Sequence, residues 1–97
     1  MINVRWLPDA LEDLKRLHAF IEPLSPYAAS RAVDTLIDAA ESLAEFPEKG
    51  RPWDQEINFR ELSVKYGSRG YVIRYRYLND VVFIVRVWHT LENRQLK

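Results

Sequence analysis

The segment YVIRYRYLNDVVFIVRVWH, Tyr71 to His89, leaves this chain few ways to fold. Apolar residues recur at every second position on either side of Asn79-Asp80, and a period of two marks strands, whose successive side chains point to opposite faces. Asn and Asp tolerate the positive φ that a two-residue hairpin loop requires, so the two runs are predicted to pair antiparallel across that turn. In the first run Tyr71, Ile73, Tyr75 and Tyr77 share one face, and Val72, Arg74, Arg76 and Leu78 share the other. In the second, Val81, Phe83, Val85 and Val87 alternate with Val82, Ile84, Arg86 and Trp88, and the aliphatic set is expected to face the core. Arg74, Arg76 and Arg86 then line the opposite, uncovered side. The preceding run FRELSVKY sets Leu62, Val64 and Tyr66 against Glu61, Ser63 and Lys65, which adds a third strand to the meander.

The N-terminal half supplies the cover for that core face. INVRW, Ile2 to Trp6, alternates and is predicted as a short strand ended by Leu7-Pro8. Pro8 suits the first turn of a helix, and Asp9, Glu12 and Asp13 lie near the positive end of its dipole. Leu11, Leu14, Leu17 and Ile21 form an apolar stripe, Glu12 and Arg16 pair one turn apart, and Pro23 ends the helix. A second helix starts with Ser25 as N-cap and Pro26 at the first position. Ala29, Ala32, Val33, Leu36, Ile37, Ala40 and Leu43 are expected inward, with Asp34, Asp38, Glu41 and Glu45 in one acidic line outside. FPEKGRPW, Phe46 to Trp53, then opens a loop to about Asn58. This order predicts a single α+β domain over residues 1–97. An N-terminal strand precedes a helical hairpin packed on one face of an antiparallel sheet, completed by a C-terminal three-stranded meander.

Ninety-seven residues form one core but not a cofactor domain plus a substrate domain. The absence of cysteine removes disulfides, thiolate metal centres and a cysteine nucleophile, and His18 and His89 have no companions at metal-ligand spacing. Neither a metal nor a cofactor is expected. No apolar run approaches a membrane span and no signal-peptide pattern opens the chain, so a cytoplasmic protein with no membrane partner is expected. The net charge of zero conceals a split. Residues 1–48 carry four Lys/Arg against nine Asp/Glu, giving −5, and residues 49–97 carry ten against five, giving +5. One surface is therefore suited to an acidic partner, while overall neutrality and a pI near 6.7 weaken attraction to bulk nucleic acid.

Five segments, WLPDALEDLKRLHAFIE, LAEFPEKGRPW, FRELSV, GYVIRYRY and IVRVWHTLENR, together resemble in order and interval the RelE/ParE superfamily of bacterial toxins. The resemblance covers essentially the whole chain. It implies a type II toxin-antitoxin protein with a cognate antitoxin partner, contacting DNA only indirectly through that antitoxin. The superfamily divides into RelE-like ribosome-dependent mRNA endonucleases and ParE-like inhibitors of DNA gyrase. Metal-free RNA cleavage needs a base for the 2′-hydroxyl, a cation for the phosphate and a proton donor for the leaving oxygen. The nuclease branch carries an arginine directly after its Gly-Tyr, in a motif like GYRLVY, whereas here Val72 holds that position, and Thr90 and Leu91 stand where a second basic residue is usual.

The resemblance therefore implies a ParE-like gyrase inhibitor acting by protein contact, with no catalytic residue expected. A RelE-like endonuclease is the alternative, its substitute site made of Arg74, Arg86, His89 and Arg94. An inactive antitoxin-binding scaffold is the third reading. Arg74, Arg76, Arg86, Trp88 and Arg94 are the candidate partner-binding residues. Beside these roles stand plainer ones. The arginines serve as solvated strand residues whose stems cover the sheet, and His89 as a packing or hydrogen-bonding residue.

Overall fold

In the computed structural model, which describes residues 2–54, 58–67, 69–90 and 92, turn chemistry sets the hairpin where the sequence places it. Asn79 and Asp80 adopt φ of 52° and 63° and carry β4 (Arg69–Leu78) into β5 (Val81–His89). Upstream lie β1 (Asn3–Trp6), α1 (Pro8–Ile21), α2 (Pro26–Glu41), a 3-10 turn (Ser42–Ala44), β2 (Arg51–Asp54) and β3 (Phe59–Tyr66). The five strands form one sheet in the order β1-β5-β4-β3-β2. β1 runs parallel to β5, Asn3 opposite Val81 and Trp6 opposite Ile84, so the sheet is mixed. β2 falls inside the segment expected as a loop, pairing Arg51 with Glu61 and Asp54 with Phe59. Pro52 disguises it in the sequence, but an edge strand tolerates a residue that cannot donate to a ladder.

Helix ends follow the local rules, and the buried seams are narrower than the apolar patterns. Pro8 and Pro26 open the helices, and Ser25 Oγ accepts from the Ala28 N–H at 3.1 Å. α1 buries Ala10, Leu14, Leu17 and Ile21, and α2 buries Ala29, Ala32, Leu36 and Ala40, followed by Leu43. Leu11 and Ile37, both expected inward, are 45% and 36% exposed. Leu11 follows buried Ala10 and Ile37 follows buried Leu36, each about 100° further around its helix and so on the flank of the seam. Glu12 pairs with exposed Lys15 instead of Arg16, because Arg16 turns toward Asp13.

The last strand departs from simple alternation. Arg74 is opposite Arg86 but Tyr75 is opposite Ile84, so Val85 is an extra residue and the register shifts there. Side-chain parity flips across this bulge. Val82, Ile84 and Val87 all enter the core, while Val81, Phe83 and Val85 are only half buried, which reverses the expected core face for the first half of the strand. The bulge has no glycine or proline to announce it.

Tyr75 fixes the approach to β2. Its hydroxyl donates to the Pro47 carbonyl at 2.7 Å and accepts from the Gly50 N–H at 2.8 Å. A Cβ on Gly50 would lie 2.6 Å from the Tyr75 ring and hydroxyl and 3.0 Å from the Glu61 carbonyl. Gly50→Ala is expected to destabilise the fold by about 1–3 kcal/mol, the usual cost of overpacking. Chemical denaturation measures it, and an unchanged midpoint would show that Tyr75 does not hold this loop.

Candidate functional site

The strand arginines that the sequence sends to an open face are held by carboxylates. On the face turned away from the helices, Arg74 donates from Nε and Nη2 to Glu61 Oε2 at 3.1 and 2.8 Å, directly across the β3–β4 pair. Both residues are buried. The Arg74 guanidinium also lies 3.8 Å from the Trp53 ring centre and 4.9 Å from that of Trp88. A planar cation between two indole faces gains attraction from both while its charge is met by the carboxylate. Trp53 stacks in turn on Phe59 at 5.8 Å and remains half exposed. Arg74 is therefore an immobilised, desolvated group, not the solvated cation expected.

Arg86 stands opposite Arg74, as predicted, but its side chain reaches Asp13 of α1 and so does not line an uncovered face. Its Nε donates to Asp13 Oδ2 at 2.8 Å and its Nη2 to Asp13 Oδ1 at 3.0 Å. Asp13, buried on α1, also accepts from Arg16 Nη1 at 2.9 Å and from the Val87 N–H at 2.8 Å. The hydrogen bonds that Arg86 donates to Asp13 raise its pKa above its already high ordinary value, against the cost of burial, and the charges of Asp13, Asp9 and Glu92 add to the effect. Such a group binds or orients. It does not deliver a proton.

The same cluster closes an open sheet edge. β1 covers β5 only as far as Ile84. Beyond that point the Val87 N–H meets Asp13, the Val87 carbonyl accepts from Arg16 Nη2 at 3.3 Å, and the His89 N–H donates to Glu92 Oε1 at 2.7 Å. Arg16 joins the two acids by donating to Glu92 from Nε and Nη2 at 3.1 and 3.0 Å. Three side chains thus stand where a neighbouring strand would.

His89 lies opposite Tyr71, on the core side, with the two rings edge to face at 5.2 Å. It does not share a face with Arg74 or Trp88, which follow Val72 and alternate with it. Trp88 is buried. Of Arg74, Arg76 and Arg86, the half-buried Arg76 is the one that makes no ion pair among the described residues. Arg94 lies outside the described residues. Register thus brings together Arg74, Trp88 and Glu61, with Trp53 packed on them, and sets His89 on the other face; Arg86 stands opposite Arg74 but its side chain is drawn away by Asp13. The alternation of FRELSV places Glu61 on the Arg74 face, so that pairing was legible in principle. Asp13 was hidden, because an acid in the N-terminal half of a helix has a sufficient local reason to be there.

Burial pushes the Tyr75 pKa up, opposed by the Gly50 N–H and the Arg60 charge and assisted by Glu48. A phenol whose folded pKa is raised contributes stability fully below the unfolded value near 10 and loses it as pH rises through the folded value. The stability gap between wild type and Tyr75→Phe is therefore expected to narrow above about pH 10. Parallel denaturation curves at neutral and alkaline pH check this, and a constant gap contradicts it.

Among the described residues no cluster of three His, Cys, Asp or Glu is arranged to hold a metal ion, and no helix is long and apolar enough to cross a membrane.

The chain resembles known proteins along almost its full length. Toxin RelE3 of Caulobacter vibrioides is 42% identical over 94 residues, spanning 97% of this chain and all of that protein. Toxin RelE1 of the same organism is 40% identical over 97% of this chain and 95% of its own length. The fold matches a chain of the chromosomal ParDE system from P. aeruginosa with a TM-score of 0.75 at 21% identity, covering 92% of this chain and 96% of that one. A chain of the RelBE2 toxin-antitoxin complex from Mycobacterium tuberculosis matches with a TM-score of 0.61 at 26% identity, covering 91% and 96%. Residues 4–94 match the family model for the ParE toxin of the type II toxin-antitoxin system parDE. Sequence, fold and family model agree, and the chain belongs to the ParE toxin family of type II toxin-antitoxin systems, within the RelE/ParE superfamily.

Proposed function

We propose that this toxin acts by protein contact, inhibiting DNA gyrase, and that a cognate antitoxin neutralises it in the cytoplasm. The observation that carries this reading is the engagement of the groups a metal-free ribonuclease would use. Arg74 is clamped by Glu61 and two indoles, Arg86 is forked onto Asp13, and the buried His89 packs against Tyr71 on the other side of the sheet. A phosphate-stabilising cation must be aimed at the reacting centre, and these are aimed at carboxylates. Val72 in place of the arginine after Gly-Tyr supports the same reading. Arg76 and the half-exposed Trp53 offer a surface suited to a protein partner.

The second reading, a RelE-like endonuclease, draws on the names of the relatives, which are RelE toxins. Supercoiling and translation assays with purified toxin separate the two. Loss of gyrase supercoiling with ribosome-bound messages intact is the expected result, and specific cuts in those messages would overturn it. A chain inert in both assays that still binds the antitoxin would be a scaffold.

A further inference from the structure

We infer that the sheet face turned away from the helices is a docking site for α2 of a second copy of this chain, so that free toxin stacks front to back. Strand register sets one row of side chains across that face. Arg5 stands opposite Phe83, Phe83 opposite Arg76, and Arg76 opposite Phe59. Residues directly opposite share a face. The chain neighbours of Arg5, Phe83 and Arg76, which are Val4 and Trp6, Val82 and Ile84, and Tyr75 and Tyr77, all pack on the core behind. Arg5 is exposed, Phe83 and Arg76 are half buried, and Trp53 extends the row by stacking on Phe59. Among the described residues neither Arg5 nor Arg76 makes an ion pair, and the buried Nε of Arg76 meets no acceptor. Glu61 on the same face is already met by Arg74. The row therefore reads cation, ring, cation, with the two cations roughly 10 Å apart across two strand spacings.

Charge and spacing identify the occupant. On the exposed side of α2, Asp34, Ile37 and Glu41 lie within about 60° of one another around the axis, with Asp34 and Glu41 roughly 10 Å apart along it and Ile37 between them. That order is acid, apolar, acid, the complement of Arg5, Phe83 and Arg76 at matching intervals. Exposed Asp38 widens the acidic line, and none of Asp34, Asp38 and Glu41 makes an ion pair among the described residues. The helix layer thus presents acids on one side of the molecule and the sheet presents cations on the other. Each copy attracts the next, while a net charge of zero gives whole chains no repulsion to keep them apart. The two patches differ, so the contact is heterologous, and every added copy leaves one patch of each kind open. Exposed ion pairs contribute up to about fivefold each in affinity, which makes the stack a weak and salt-sensitive association.

Sedimentation velocity of the purified full-length toxin over a concentration series tests the stack. The mean sedimentation coefficient is expected to rise with concentration at about 0.1 M salt and to fall back to the monomer value at about 1 M, where the Debye length shrinks from about 10 Å to about 3 Å. Arg5→Gln with Arg76→Gln silences the sheet patch, and Asp34→Asn with Glu41→Gln silences the helix patch. Each double variant is expected to weaken self-association about tenfold. Mixed together, the two are expected to form a one-to-one pair and nothing larger, because the intact helix face of the first meets the intact sheet face of the second. Only a front-to-back contact gives that result. A wild type that stays monomeric at low salt would overturn the inference, and if the sheet variant then fails to bind the protein encoded by the neighbouring reading frame, the face belongs to that partner. Association that survives both variants and about 1 M salt would also overturn it and point to the exposed Phe20, Leu24 and Tyr27 of the helical hairpin. Should replacing half-buried Arg76 lower the melting temperature, Arg5→Gln alone and the helix variant, whose residues are all exposed, decide the matter.

Discussion

Asp13→Ala is expected to cost about 3–5 kcal/mol of folding stability, the usual penalty for breaking a buried ion pair by removing one partner. The carboxylate accepts four hydrogen bonds, two from Arg86, one from Arg16 and one from the Val87 N–H. Its removal leaves the mostly buried Arg86 guanidinium without the Asp13 carboxylate that forks onto it and exposes the edge of β5. Arg86→Ala is expected to cost less, since Asp13 keeps Arg16 and Val87. Arg16→Ala is expected to cost least, because that side chain is 36% exposed. Urea denaturation of the three variants measures the order, and an Asp13→Ala midpoint close to wild type would refute the cluster's role. A domain of this size has roughly 5–15 kcal/mol in all. Loss of toxicity in Arg86 variants is therefore to be read first as loss of fold, and only a folded variant informs on mechanism.

The second large effect is expected at Arg74. Arg74→Ala takes from the buried Glu61 carboxylate the guanidinium that forks onto it and removes a cation from between two indoles, at a cost of about 3–5 kcal/mol. Arg74→Lys keeps the charge but loses the fork and the flat stack, and is expected to fall between. The double variant Glu61→Leu with Arg74→Met removes both charges together and is expected to recover most of the stability, since apolar replacement of a buried pair is often neutral or better. Denaturation followed by tryptophan fluorescence reports both the fold and the stack. If the double variant folds and still binds antitoxin, the pair is structural. If it folds and fails to bind, the guanidinium is itself part of the interface. A stable, unchanged Arg74→Ala would mean that the clamp contributes little.

Much of the architecture was legible because local rules and the global fold agree. The Asn79-Asp80 turn, the proline at each helix start and the Ser25 cap each have one low-energy solution, and the structure takes it. The misreadings share a cause. Val85 breaks the period of two without any residue that marks a bulge, so the core face of the first half of β5 was read the wrong way round. Pro52 disguised an edge strand as a loop. The candidate site suffered most, because an arginine on a strand looks the same in sequence whether water or a carboxylate meets it. Glu61 lies thirteen residues from Arg74, and Asp13 lies far from Arg86 on another element. Only the pairing of strands and the docking of α1 bring them together.

The parallel union of β1 with β5 has a consequence for how the toxin is made. Residues 3–6 leave the ribosome well before their partners, residues 81–84, have been made. Contacts so far apart in sequence close late and at high entropic cost. During synthesis the N-terminal strand must wait unpaired, and α1 has no β5 to lie against and no Val87 for Asp13 to hold. Closure of the sheet is thereby deferred until β5 has emerged. A ribosome that stalls before residue 81 releases a fragment lacking the strand that joins β1 and α1 to the rest of the sheet. A copy cut short before β5 is thus expected to be unable to close the sheet.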